Sequence, residues 1–180
     1  MSLSGKRVAI LVEFNYEDTE VWYPLLRFRE NKAKTFCVGP KADFVYKSKK
    51  GYPVKSDKSI DDVTFKDMDC LIIPGGFAPD YWRRDARFTK LVKDCMDNGV
   101  IVASICHGPW LLVSAKVLKG KKATCFISIK DDVINAGATY LDQEVVVDDN
   151  LVTSRTPMDI PAWCLAIVDC LEKQVYNNES

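Results

Sequence analysis

The sequence predicts a three-layer α/β sandwich of the flavodoxin-like kind, a mostly parallel sheet with helices on both faces and a nucleophile elbow at one strand end. Three observations carry this. Short β-branched apolar runs alternate with stretches of helical period along the 180 residues. Those runs are apolar on both faces, which suits strands covered by helices on either side. The strongest of them, Val100–Ile105, ends abruptly at Cys106-His107-Gly108-Pro109, after which Trp110-Leu111-Leu112-Val113 begins a helical pattern.

Taken in order, Arg7–Val12 is the first strand, and Asn15–Thr19 is a polar corner after it. Val21, Trp22, Leu25, Leu26 and Phe28 then recur at helical spacing. Pro24 should sit in the first turns of that helix or bend it, because a proline deep inside costs about 3 kcal/mol. Lys34–Val38 is a second strand stopped by Gly39-Pro40. From Lys41 to Lys58 the pattern weakens into short β-prone pieces broken by Gly51 and Pro53, read as a small hairpin on the sheet's edge, where lysines discourage edge pairing. Asp69–Ile73 is another buried strand, closed by Pro74-Gly75-Gly76. Phe88, Leu91, Val92 and Cys95 mark an amphipathic helix leading to the Cys106 strand. Beyond the elbow come Lys122–Phe126, a helix around Asp131–Asn135 with Gly137 as its C-cap, and a hairpin over Val145–Thr153 turning at Asp148-Asp149-Asn150. Ile160 to Leu171 forms the last amphipathic helix, and Val175–Ser180 reads as a polar tail. No repeat or linker divides the chain, so residues 1–180 form one domain with its core from Lys6 to Leu171.

Charge is balanced, 25 basic against 25 acidic residues, and no basic stripe points to nucleic acid or to an acidic membrane. No apolar run is long enough to span a bilayer, and the first residues lack the apolar segment of a secretory signal. The seven cysteines form no Cys-x-x-Cys pair and mostly fall inside apolar patterns. That reads as reduced thiols of a cytoplasmic protein, with neither a disulfide framework nor a metal site.

Three strand ends can carry chemistry. Cys106 lies at a strand-to-helix corner, where small residues two before (Ser104) and two after (Gly108) leave room for a sharp turn and where a helix N-terminus would favour thiolate. Its neighbour His107 is the only histidine. Adjacent side chains at such a turn usually point apart, so His107 needs the fold's help to act on Cys106. Glu17, in the first polar corner, reads equally as a helix-capping acid. Gly75-Gly76 either merely turns the chain or offers backbone N–H groups to an oxyanion facing Cys106. Asp80 also has the look of a helix-start residue.

These stretches together resemble the ThiJ/PfpI superfamily, closest to the PfpI-type intracellular proteases and their bacterial stress-protein relatives. The resemblance rests on Ala103–Pro109, Pro74–Asp80 and Tyr16–Glu20, and continues through Lys130–Ala138, Glu144–Asp148 and Thr153–Pro157. It implies that Cys106 is the nucleophile and that Glu17 is the glutamate contacting its thiol. It further implies that His107 is the general acid/base, and that Asp80 reaches His107 of a neighbouring subunit to complete a triad in trans. Gly76 and the His107 N–H would form the oxyanion hole. Asp80 is one methylene shorter than the glutamate common there, and Trp110 stands where many relatives carry Gln. The implied activity is cofactor-free conversion of small reactive carbonyls such as 2-oxoaldehydes to hydroxy acids (glyoxalase III-like or deglycase-like), in stress protection. The runner-up is a PfpI-type cysteine peptidase or amidase acting on peptides, and a third reading is a redox sensor or chaperone through Cys106 oxidation. A homodimer or homohexamer is implied, with no membrane or nucleic-acid partner.

Overall fold

The structure is a computed structural model and describes residues 2–178. In chain order the elements are β1 (Arg7–Leu11), α1 (Asp18–Glu30), β2 (Lys34–Gly39), β3 (Val45–Lys47), β4 (Pro53–Lys55) and β5 (Lys58–Ser59). After two 3₁₀ turns follow β6 (Cys70–Ile73), α2 (Ala78–Trp82), α3 (Ala86–Asp97), β7 (Ile101–Ile105) and α4 (Pro109–Ser114). The chain continues with β8 (Lys122–Ala123), α5 (Lys130–Asn135), β9 (Thr139–Tyr140), β10 (Val145–Asp148), β11 (Leu151–Ser154) and α6 (Ile160–Asn178).

Seven strands form the main sheet in the order β10-β11-β7-β6-β1-β2-β5. All pairs are parallel except β10–β11. The central strands are apolar throughout because both their faces are covered: Val8–Leu11 and Cys70–Ile73 expose nothing. α1 packs against α6 on one face, and α3 against α4 on the other. From β1 the chain first builds outward through β2 to β5, then returns to β6 and builds the other way. The point of reversal lies between β1 and β6, and the carboxyl ends of strands flanking such a point form a crevice. The Asp149-Asn150 turn closes the β10–β11 hairpin, and the Asn150 amide donates to the Val100 carbonyl at 2.8 Å, tying the hairpin to the entry of β7. Among the described residues no helix is long and apolar enough to cross a membrane.

Pro24 sits in the second turn of α1. Lacking an N–H, it leaves the Glu20 carbonyl without its usual helical donor. The hairpin expected on the sheet's edge is a separate two-stranded sheet, β3–β4, and β5 takes the edge. Its tip is held elsewhere: Ser48 Oγ donates to Asp18 Oδ1 at 2.6 Å, the Lys49 N–H to the Tyr16 carbonyl at 3.1 Å, and the Tyr16 hydroxyl to the Tyr52 carbonyl at 2.8 Å. These bonds draw the tip over the end of β1, where side-chain bonding outweighs the ladder a short polar strand could make. Finally, α6 runs to Asn178, where a polar tail was expected from Val175; Glu179 and Ser180 lie outside the described residues.

Candidate active site

The loops after β1 and β6 are stitched together before they meet Cys106. The Phe77 N–H donates to the Asn15 carbonyl at 2.8 Å and the Glu17 N–H to the Gly75 carbonyl at 3.3 Å. This approach requires glycine at position 76. Its φ is +74°, and a Cβ there would sit 2.5 Å from both the Asn15 carbonyl oxygen and the Glu17 nitrogen. Gly75 is equally confined, since a Cβ would stand 2.7 Å from Glu20 Oε2 and 2.9 Å from the Cys106 Cβ.

Cys106 follows β7 with φ +60°, a left-handed conformation that costs a non-glycine residue on the order of 1–3 kcal/mol. Its backbone is pinned on both sides: its N–H donates to the Ser154 carbonyl at 3.1 Å, and its carbonyl accepts from the Phe126 N–H at 3.0 Å. Ser104 and Gly108 face each other inside the turn, where a Cβ on Gly108 would lie 2.5 Å from Ser104 Oγ and from the Ile73 carbonyl. The sharp elbow therefore rests on a strained cysteine held by β11 on one side and the Phe126 segment on the other, and on one position with no room for a side chain.

The strain aims the thiol into a pocket of about 610 Å³ whose wall includes Glu17, Lys49, Gly76, His107 and Trp110. Cys106 is nearly buried at its base, 8% exposed. The turn does what adjacency alone would not: it brings His107 Nδ1 to 3.2 Å from the Cys106 sulfur. The imidazole stacks on Phe126 (centroids 4.9 Å, planes 28° apart) and meets the Trp110 ring edge-on (5.2 Å, 71°). On its far side, Nε2 lies 3.3 Å from Ser128 Oγ. Burial, and to a lesser extent the Lys49 ammonium, push the imidazole pKa below its usual value, so the ring is neutral at neutral pH.

The carboxyl that bears most on the thiol is that of Glu20, where Glu17 was expected: Glu20 Oε2 and the Cys106 Cβ both crowd the position a Gly75 Cβ would take. Glu20 sits in the first turn of α1 with no exposed surface, and the Gly75 N–H donates to its Oε2 at 2.6 Å. Its Oε1 finds no nitrogen or oxygen donor among the described residues. Burial dominates and lifts its pKa to about 8, with the Gly75 hydrogen bond pulling the other way. Glu20 is therefore mostly protonated at pH 7. Glu17 lies on the pocket wall, ion-paired to Lys49 from the β3–β4 tip. The helical period explains the exchange: Glu20 shares the inward face of α1 with Pro24 and Phe28, whereas Glu17 precedes the helix.

The resting thiol also differs from expectation. α4 is a single short helix, and burial pushes the Cys106 thiol pKa up rather than down. Against this, the His107 N–H is directed at the sulfur and favours thiolate. The Gly76 N–H has no protein acceptor among the described residues, so it and the His107 N–H are the donors available to an oxyanion near Cys106. Asp80 lies outside the pocket wall within its own chain and pairs with Arg84 at 3.2 Å. Trp110 fills the wall: its Nε1 donates to Asp132 Oδ2 at 2.8 Å, and the Arg83 guanidinium covers its face at 5.4 Å.

Sequence reading passed over Glu20, Lys49, Phe126 and Ser128. Only Glu20 left a signal, an acid on the buried face of an apolar helical stripe, which needs a partner or a proton. The other three come from loops that tertiary packing alone delivers.

The fold and this corner define an α/β protein with a cysteine at a sharp strand-to-helix elbow, one strand from the switch point of a doubly wound sheet. The chain belongs to the DJ-1/PfpI family, whose family model matches residues 6–170. It is 47% identical over 161 residues to Protein/nucleic acid deglycase 2 of Escherichia coli, covering 88% of this chain and 94% of that one. It is 45% identical over 171 residues to General stress protein 18 of Bacillus subtilis, covering 94% and 99%. Among solved structures, a two-domain protein from Anabaena variabilis with DJ-1/ThiJ/PfpI-like and ferritin-like domains superposes with a TM-score of 0.91 at 39% identity. That match covers 93% of this chain, which spans about half (48%) of the Anabaena chain.

Proposed function

We propose that this protein is a cysteine-dependent, cofactor-free enzyme acting on small reactive carbonyls, 2-oxoaldehydes and the early adducts they form with amines, in protection against carbonyl stress. The observation that carries it is the pocket: about 610 Å³, with the Cys106 thiol and the His107 imidazole in its wall 3.2 Å apart. That volume lies in the small-molecule range, and its wall is mainly aromatic and apolar, as such sites are. The names deglycase and general stress protein carried by relatives more than 40% identical support the same reading.

The chemistry follows from the contacts. The thiol proton passes to His107 Nδ1 as a bond forms between Sγ and the aldehyde carbon. The carbonyl electron pair moves to oxygen, held by the Gly76 and His107 N–H groups, and the imidazolium returns its proton to that oxygen. From the resulting hemithioacetal, His107 removes the C1 proton while the C2 carbonyl oxygen takes a proton. The enediol so formed is protonated at C2 as its C1 hydroxyl loses its proton, giving a thioester. Water hydrolyses the thioester to the 2-hydroxy acid and frees the thiol. Glu20, protonated, donates to sulfur and stabilises it when it carries charge. Reactant and product differ by one water, and no electron acceptor is required.

The test is direct. Purified protein should convert methylglyoxal to lactate with neither glutathione nor added metal, and should cleave unfolded peptides little. Robust peptide cleavage without lactate would replace this reading with the peptidase one.

A further inference from the structure

We propose that Ser128 is the orienting member of a Cys106–His107–Ser128 relay contained within one chain, its hydroxyl accepting the His107 Nε2–H and so turning the Nδ1 lone pair toward the thiol. The distances are 3.2 Å from sulfur to Nδ1 and 3.3 Å from Nε2 to Ser128 Oγ, on opposite sides of one ring. The ring cannot turn freely to exchange these partners, because Phe126 covers its face and Trp110 abuts it from the side. A neutral imidazole has one donor and one acceptor nitrogen, and the bond made by one sets the other. The thiol has a proton to give, since burial holds its pKa up, so Nδ1 must be the acceptor for that proton to move inward. Nε2 then carries the hydrogen, and Ser128 is the side chain placed to receive it.

The relay has a consequence in the transfer step. When the thiol proton reaches Nδ1, the imidazolium keeps its Nε2–H bond to Ser128, and its charge forms against an oriented dipole. Resemblance gives the place beside His107 to Asp80 of a neighbouring subunit. In its own chain Asp80 is turned to Arg84. Ser128 is exposed in the 3₁₀ turn Ile127–Ile129 that leads into α5, so it acts through His107 alone and is a positioning residue.

Because His107 is the only histidine, the tautomer can be read on one residue. Protein labelled with ¹⁵N-histidine should give, at neutral pH and without substrate, the two-bond ¹⁵N–¹H pattern of an Nε2–H imidazole. Ser128→Ala should shift it to a mixture of tautomers, Ser128→Thr should restore it, and kcat for methylglyoxal should fall about threefold to tenfold in the alanine variant with KM little changed. The kinetic arm rests on the proposed carbonyl chemistry; the tautomer does not, so the two can fail separately. An Nδ1–H pattern in the parent protein, or one that Ser128→Ala leaves untouched, would overturn the relay. So would a pattern moved by Asp80→Asn and not by Ser128→Ala, which would assign Nε2 to Asp80 of the partner subunit.

Discussion

Two glutamates three positions apart meet Cys106 from opposite environments. Glu17 stands on the pocket wall, paired to Lys49. Glu20 lies beneath the thiol, cut off from water, with one carboxyl oxygen satisfied by the Gly75 N–H and its pKa raised to about 8 by burial. The same side chain is thus a fixed charge in one place and a neutral proton donor in the other. What differs is solvent: water and an ammonium support the Glu17 charge, and the α1–sheet interface supports only the protonated form of Glu20. The division assigns proton chemistry to the base of the pocket and electrostatics to its wall.

The base should dominate activity. Cys106→Ser should lower methylglyoxal turnover by about 10³-fold or more, since an un-ionised hydroxyl replaces the nucleophile. A residual rate near that of the parent would move the chemistry off this corner altogether. Glu20→Gln comes next, with a loss of about 10²-fold, at the low end for a positioned acid/base group.

Glu20→Gln carries a second, opposite signature. Its carboxyl pKa is 4.5 when unfolded and about 8 when folded, so the folded state holds the extra proton between those values. Stability from this group is therefore fullest below pH 4.5 and is lost progressively as pH rises to about 8. The slope within that window approaches 1.4 kcal/mol per pH unit at most. Glutamine mimics the neutral acid without titrating. Relative to the parent, Glu20→Gln should gain thermal stability at pH 9 and not at pH 4, as followed by calorimetry. A gain that is the same at both would mean Glu20 is ionised in the folded protein, and the contrast with Glu17 would collapse.

The wall should matter less. Glu17→Gln and Lys49→Met should each change turnover by about tenfold or less, because a partly exposed ion pair is worth little more than about 1 kcal/mol. A Glu17→Gln loss equal to that of Glu20→Gln would return the thiol's partner to Glu17. The smallest expected effect is a ranking among thiols. Cys106 and the half-buried Cys170 are the accessible pair, while the other five cysteines expose 1% or less. Mild peroxide should modify Cys106 ahead of Cys170 by peptide mass spectrometry, because the His107 N–H directed at its sulfur favours thiolate. Cys170 reacting first would make exposure alone the governing factor.

Strand and helix order, the elbow at Cys106, the diglycine opposite it and the lone histidine are all readable from the sequence. Each is a local matter: apolar period reports which faces are covered, and Gly76 and Gly108 mark places where backbone comes too close for a Cβ. The partners of Cys106 and His107 are not local. Which of two glutamates turns under the thiol depends on the phase of α1 against the sheet. Lys49 and Ser128 arrive on loops far away in sequence, and the β3–β4 tip reaches the site through Ser48, Tyr16 and Tyr52. Sequence therefore determined where the chemistry sits, because strand ends and tight turns have their own residue signatures. Tertiary structure decided which groups surround it and in what protonation state, because burial, ion pairing and hydrogen bonding act across space.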